Sequence, residues 1–141
     1  MTDIEMHHAS IFEAIADAVP DAIVQTQGDR EVTYAQMDDR TSRLAAAFTD
    51  AGLMTQSRVA VDLYNSIEWL ESFYGALKDR YVPVSINYRY LDDELRYLLE
   101  SSECEALVFH ASLAERIVPA AQAMPTMKLL IQVDDLAAPG G

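Results

Sequence analysis

Three observations predict an α/β fold with a mostly parallel sheet and helices on both faces. Segments with helical spacing of apolar residues alternate with short runs rich in Val, Ile and Leu, the pattern of strands joined by helical crossovers. Half of the 141 residues are hydrophobic, and a globule of this length buries roughly 68% of the surface that its unfolded chain exposes. Four segments open on a capping residue followed three positions later by Glu or Gln, so helix starts are written explicitly.

Ser10-Ile-Phe-Glu13 is the first such box, and it predicts a helix beginning at Ser10. Ile11, Ala14, Ile15 and Ala18 would form its apolar stripe, and Pro20 would close it. Ala22–Gln25 and Glu31–Thr33 read as two strands of a hairpin around Gln27-Gly28-Asp29. Thr33-Tyr-Ala-Gln36 then opens a helix on which Met37, Leu44, Phe48 and Ala51 recur at helical spacing, with Gly52 placed for a left-handed C-terminal cap. Arg58–Leu63 is a strand with Val59, Val61 and Leu63 at period two. Asn65-Ser-Ile-Glu68 starts the next helix with an Asn cap. Ile67, Leu70, Tyr74 and Leu77 supply one face, and Trp69, Phe73 and Ala76 widen it. Tyr81–Ile86 has strand composition, but Pro83 confines it to a strand start, a bulge or an edge. Asp92-Asp93-Glu94 places acid where a helix N-terminus favours it, ahead of a buried stripe of Leu95, Leu98 and Leu99. Ala106–Phe109 is a strand, Ser112-Leu-Ala-Glu115 opens a short helix, and Lys128–Val133 is the last strand. The expected organisation is a mobile leader over 1–9, one unit over 10–133 and a linker-like tail over 134–141.

The formal net charge is −13, and the ten basic residues are scattered. Both facts argue against nucleic acid and against an anionic membrane surface as partners. No apolar run approaches the ~20 residues that span a bilayer. The acidic N-terminus has no basic region before an apolar stretch, so a secretory signal is not expected. A lone cysteine fits a reducing compartment, and a cytoplasmic location is expected.

Chemistry-bearing residues are sparse. The five glycines include neither G-x-G-x-x-G nor G-x-x-x-x-G-K-[ST], so no familiar loop brings backbone amides together on phosphate. His7 and His8 are adjacent but have no partner at metal-ligand spacing, and they read as part of the leader. His110 follows a strand and reads as structural. Cys104 lacks a CxxC partner or a neighbouring His and reads as a buried, inert thiol. Asp92, Asp93 and Glu94 are explained by the helix dipole without a metal. Trp69, Phe73 and Tyr74 read as core. Tyr88-Arg89-Tyr90 reads as a strand-to-helix connection in which Arg89 is stacked or salt-bridged. Asn65-Ser66-Ile67 loosely resembles the phosphopantetheine-serine tripeptide of acyl carrier proteins. Those are small helical bundles, whereas strand signals surround Ser66 here.

Taken in order, four blocks resemble the adenylate-forming, AMP-binding superfamily. Val32-Thr-Tyr-Ala-Gln-Met-Asp-Asp-Arg-Thr-Ser-Arg-Leu-Ala-Ala-Ala-Phe48 resembles its "LTYxELxxxxxxLAxxL" opening motif. Arg58-Val-Ala-Val-Asp-Leu-Tyr-Asn-Ser-Ile-Glu-Trp69 resembles "RVAxxxxNSxEF". The segment from Ala76 to Leu95 resembles "LKAGAVxVPLNxRxxxxEL", and Ser102–Phe109 stands where the family has "DSGAKxLV". Asp79-Arg80 replaces the usual Ala-Gly pair. Ile86-Asn-Tyr-Arg-Tyr90 looks most like the fatty acyl-CoA synthetases, also called long-chain fatty-acid–CoA ligases.

The resemblance implies the N-terminal subdomain of the adenylate-forming ligase fold. It also implies a parent reaction in which ATP and a fatty acid give an acyl-adenylate that coenzyme A converts to a thioester, with Mg assisting at phosphorus. The family's phosphate loop, adenine and ribose contacts and catalytic lysine have no counterpart in these 141 residues. No residue is therefore assigned as catalytic, cofactor-binding or metal-ligating, and the chain alone is expected to be inactive and to bind no cofactor. The expected partner is the remainder of such a ligase, as a longer chain or a separately encoded one, or a second copy of this chain through uncovered edges.

Overall fold

The computed structural model describes residues 6–134, so most of the expected leader and all but Asp134 of the expected tail lie outside the described residues. In chain order the elements are α1 (His8–Ala18), β1 (Ile23–Gln27), β2 (Arg30–Thr33), α2 (Tyr34–Asp50), β3 (Arg58–Asp62), α3 (Ile67–Lys78), β4 (Val82–Ser85), α4 (Asp92–Ser102), β5 (Ala106–His110), a 3₁₀ turn (Ala111–Leu113), α5 (Ala114–Gln122) and β6 (Leu129–Val133). This is the order and the α/β class read from the sequence. β1 and β2 form an antiparallel hairpin, and the other strands form a parallel sheet in the order β4-β3-β5-β6.

Alternation along the strands divides the core into two layers. Val59, Val61 and Leu63 of the β3 segment and Ala106 and Val108 of β5 pack with Phe48 of α2 and Ala76 of α3. On the opposite face Ala60, Leu107 and Phe109 meet Leu95 and Leu99 of α4 and Ile117 and Ala121 of α5. A third cluster, Phe12, Val32, Met37 and Ile67, joins α1 and the hairpin to the α2–α3 pair. Lys78, 9% exposed at its side chain, ties the same three helices together through Glu13 of α1 (3.1 Å) and Asp38 of α2 (2.6 Å).

Local signals account for most boundaries. The Thr33 box forms fully: the Gln36 amide donates to Thr33 Oγ1 at 3.2 Å, and the Thr33 amide donates to Gln36 Oε1 at 2.9 Å. α2 ends at Gly52, whose φ of +98° is strained for any side chain. The Leu53 and Gly52 amides donate back to the Phe48 and Thr49 carbonyls. Pro83 lies in β4, an edge strand, as its missing N–H demands.

Three starts differ from the sequence reading. α1 begins at His8 and is capped by His7, whose Nδ1 accepts the Ala9 amide at 3.2 Å. His8 and Ala9 are thus helical rather than leader. Its buried side is Ala9, Phe12 and Ala16, and Ile11 and Ile15 stay exposed. The helix carries two apolar stripes, and the one bearing the bulky Phe12 ring takes the core. α3 is capped by Ser66 rather than Asn65, since Ser66 Oγ accepts the Trp69 amide at 3.2 Å. Ser112 caps nothing: β5 runs through His110, whose Nδ1 accepts the Ser112 amide at 3.1 Å and starts the 3₁₀ turn.

Arg80, standing where the family pattern has Gly, adopts φ +62°. The turn therefore keeps the left-handed geometry that a glycine would serve, at a cost of roughly 1 kcal/mol for an L-residue. The guanidinium offsets this by donating to the carbonyls of Leu77 (3.2 Å) and Lys78 (3.0 Å) and to Ser10 Oγ (3.3 Å), a cation on the C-terminal end of α3. Arg80→Gly should therefore unfold in urea within about 0.5 kcal/mol of wild type. Arg80→Ala, which keeps the strain and loses the bonds, should cost about 1–2 kcal/mol.

Candidate functional site

In an open parallel sheet, a crevice opens at the carboxyl ends of strands where the chain reverses its direction of strand addition. Here the chain steps from β3 outward to β4, then returns across β3 to β5, so the switch point lies between β3 and β5. The segments following β3, β4 and β5 meet there. Tyr64, after β3, packs its ring 4.8 Å from Tyr88, after β4, and 5.2 Å from the His110 ring at the end of β5. Its hydroxyl lies 3.0 Å from Ser112 Oγ, which lies 2.8 Å from His110 Nδ1. Arg89 sits over the Tyr88 ring, 5.5 Å from its centroid, which is the stacked connection expected from the sequence.

Beside this cluster is a cavity of about 330 Å³ lined in part by Gln27, Arg30, Tyr64, Ser66, Glu68 and His110. The hairpin closes it: Gln27 Oε1 accepts the Ile67 amide at 3.0 Å, and Arg30 pairs with Glu68 at 2.6 Å. At the end of β3, Asp62 is 2% exposed. Burial pushes its carboxyl up to about 6, and the Arg116 charge pulls the other way.

The remaining sequence candidates are scattered. Cys104 is buried, 3.0 Å from Ser102 Oγ, and burial pushes its thiol up. Asp92, Asp93 and Glu94 open α4, where Glu94 Oε2 accepts the Leu91 amide at 2.9 Å. No group of three or more His, Cys, Asp or Glu able to hold a metal occurs among the described residues. Trp69 and Phe73 stack at 4.3 Å against the α2–α3 layer, and Tyr74 packs on Phe12 at 4.9 Å. Ser66 spends its hydroxyl on the α3 cap and on the Tyr64 carbonyl at 2.9 Å. Sequence reading missed Asp62, Tyr64, Ser112 and Arg116. A charged residue closing the apolar run Val59-Ala-Val61 was the available signal for Asp62.

A second concavity, about 420 Å³, runs between α2 and the sheet, where Leu44, Ala47, Val108, Ile131 and Val133 meet Arg40 and Arg43. α2 and α3 leave the β6 end of this face half-open, so Leu129, Ile131 and Val133 are only partly buried.

A model of the AMP-binding enzyme family matches residues 12–140. The medium-chain acyl-CoA ligase Mig of Mycobacterium avium is 37% identical over 139 residues, covering 89% of this chain and 25% of that protein. A medium/long-chain-fatty-acid--CoA/3-oxocholest-4-en-26-oate--CoA ligase of Mycobacterium tuberculosis is 33% identical over 132 residues, covering 94% of this chain and 24% of that one. Among solved structures, the N-terminal domain of FACL13 from Mycobacterium tuberculosis superposes with a TM-score of 0.83 at 27% identity, over 92% of this chain and 34% of that chain. The chain thus spans about a quarter of the length of the curated relatives it matches.

Proposed function

The chain belongs to the AMP-binding enzyme family, and from that membership we propose that it supplies the opening scaffold of an ATP-dependent fatty acyl-CoA ligase and performs no chemistry alone. It resembles the N-terminal part of acyl-CoA ligases. Residues 10–133 would form the subdomain and 134–141 a linker, in the cytoplasm. In the parent reaction a fatty acid and ATP give an acyl-adenylate, which coenzyme A converts to a thioester.

The donor set supports the reading that this chain does not activate the acid. A triphosphate needs converging amides or unengaged cations, with carboxylates grouped to hold Mg²⁺. Arg30 at the cavity is engaged by Glu68, Arg116 donates to the carbonyls of Tyr88 and Tyr90, and Arg89, stacked on Tyr88, is a single cation rather than a converging set. The glycines near the crevice reduce to Gly28 in the hairpin turn. On this reading the described residues alone do not hold a nucleotide triphosphate. What they do is structural: the sheet holds Tyr64, Tyr88 and His110 at its carboxyl edge, and the β6 side offers an apolar wall. ATP–pyrophosphate exchange with a panel of fatty acids should show no turnover above background for the purified chain, and turnover would overturn the assignment.

The half-open β6 side favours one further reading, docking of a separately encoded ligase remainder, with self-association when no partner is present. β6 is an edge strand with the apolar sequence Leu-Leu-Ile at its start, and such edges pair with other chains. Sedimentation of the chain alone should show concentration-dependent oligomers. A monodisperse monomer that unfolds cooperatively would count against an exposed docking face.

A further inference from the structure

The main chain fixes which nitrogen of the His110 ring carries the hydrogen. The Ser112 amide can only donate, and it donates to His110 Nδ1 at 3.1 Å. Nδ1 is therefore bare, and the neutral ring holds its hydrogen on Nε2. Ser112 Oγ lies 2.8 Å from the same Nδ1. Two lone pairs would repel at that distance, so the serine hydrogen points at the ring. With that hydrogen spent, Ser112 Oγ accepts from the Tyr64 hydroxyl at 3.0 Å. The hydrogen bonds thus run one way, from Tyr64 through Ser112 to His110, and the Tyr64 oxygen is left as an acceptor. Tyr64 follows β3, His110 closes β5 and Ser112 lies in the 3₁₀ turn, and the Tyr64 and His110 rings meet edge to face with centroids 5.2 Å apart. Both rings line the switch-point cavity.

We propose that His110 is a proton-operated polarity switch for this crevice: protonation of Nδ1 reverses the relay and turns the Tyr64 hydroxyl from an acceptor into a donor. A proton from solvent forms the new Nδ1–H bond. No other covalent bond changes, and the two hydroxyl groups only rotate. Nδ1–H then donates to Ser112 Oγ, Ser112 donates to Tyr64, and the Tyr64 hydrogen is freed for an acceptor in the crevice. The new Nδ1–H also faces the Ser112 amide donor to donor, so that hydrogen bond is lost. The two states exclude each other because one ring nitrogen cannot both carry a hydrogen and accept one. An imidazole changes charge in the range between about pH 5 and about pH 8, where such a device is useful.

Charged and titratable groups reach this end of the sheet from every neighbouring element. They are Asp62 in β3, Tyr64 after it, Tyr88 with Arg89 after β4, Glu115 and Arg116 at the start of α5, Asp134 after β6, and Arg30 with Glu68 across the cavity. Asp62, whose carboxyl burial pushes up to about 6, could imitate the signal, so Asp62→Asn is the control. The test is a nitrogen and carbon NMR titration of the full chain from about pH 4.5 to about pH 8.5. Above the His110 midpoint the imidazole should carry hydrogen on Nε2 with Nδ1 bare, and below it on both nitrogens. The Ser112 amide and the Tyr64 Cζ should shift with that same midpoint. Asp62→Asn should keep both responses, and His110→Gln should abolish both. Ser112→Ala should keep the response of the amide at position 112 and lose most of the Tyr64 response, which separates a relay from a change of local field. A neutral ring with its hydrogen on Nδ1, a Ser112 amide that ignores His110, or a Tyr64 response undiminished in Ser112→Ala would overturn the switch. The wild-type titration alone decides the matter if a variant does not fold.

Discussion

Asp62→Asn should make the fold progressively more stable than wild type as the pH rises. The wild-type carboxyl moves from 3.8 to about 6 on folding, chiefly because burial penalises its charged form. A raised folded value means that the contribution is fully present below the unfolded value of 3.8 and is lost as pH climbs through about 6. The shift of about 2 units sets an upper bound of about 3 kcal/mol, and partial solvent screening of the carboxyl reduces it. Asparagine cannot ionise, so its own packing and hydrogen-bonding terms add a constant offset. Between about pH 4 and about pH 8, the stability difference between variant and wild type should therefore widen by about 1–2 kcal/mol in urea unfolding. A difference that stays constant across that range would show that Asp62 ionises freely in the folded chain.

Gly75→Val should be strongly destabilising. A Cβ at Gly75 would lie 2.8 Å from Leu44 Cδ2, 3.1 Å from Cγ and 3.2 Å from Cβ. Rotating Leu44 about its side-chain bonds can relieve the Cδ2 and Cγ contacts but not the Cβ contact, which is fixed to the α2 backbone. Helix α2 must then move off α3 and disturb the layer holding Phe48, Val59 and Val61. For Gly75→Ala, a helix-propensity gain of about 1 kcal/mol works against overpacking of about 1–3 kcal/mol. The β-branched valine adds two more methyl groups to the same gap, and a loss of about 3 kcal/mol or more is expected from chemical denaturation. Adding Leu44→Ala should recover part of it, a coupling that a double-mutant cycle reads directly.

The legible part of this fold is the part that is local in the chain. The Thr33–Gln36 box, the Gly52 cap and the period-two run Val59-x-Val61-x-Leu63 each specify their element within a few residues, and the structure has them in place. Where two local solutions compete, the sequence does not choose. Asn65 and Ser66 are both good caps one residue apart, and α1 has two apolar sides of which only one fits beneath the hairpin. The crevice was illegible for a different reason. Tyr64 and Ser112 are 48 positions apart and Arg116 reaches back 26 and 28 to its carbonyls, so only the crossover returning to β5 brings them together. The family pattern did mark Arg80, and the structure supplies the cause as a positive φ.

Pro83 gives the sheet a preferred direction of growth. The amides of Val82 and Ile86 point inward to the carbonyls of Ser57 and Val61, so by alternation the Pro83 nitrogen points outward. At that margin an incoming strand would find a pyrrolidine ring where it needs a donor. The opposite margin, with its full row of amides, has no such stopper. Accretion of further polypeptide, from the same gene or another, is thus channelled to one flank, and a proline-to-alanine exchange at 83 should open the other.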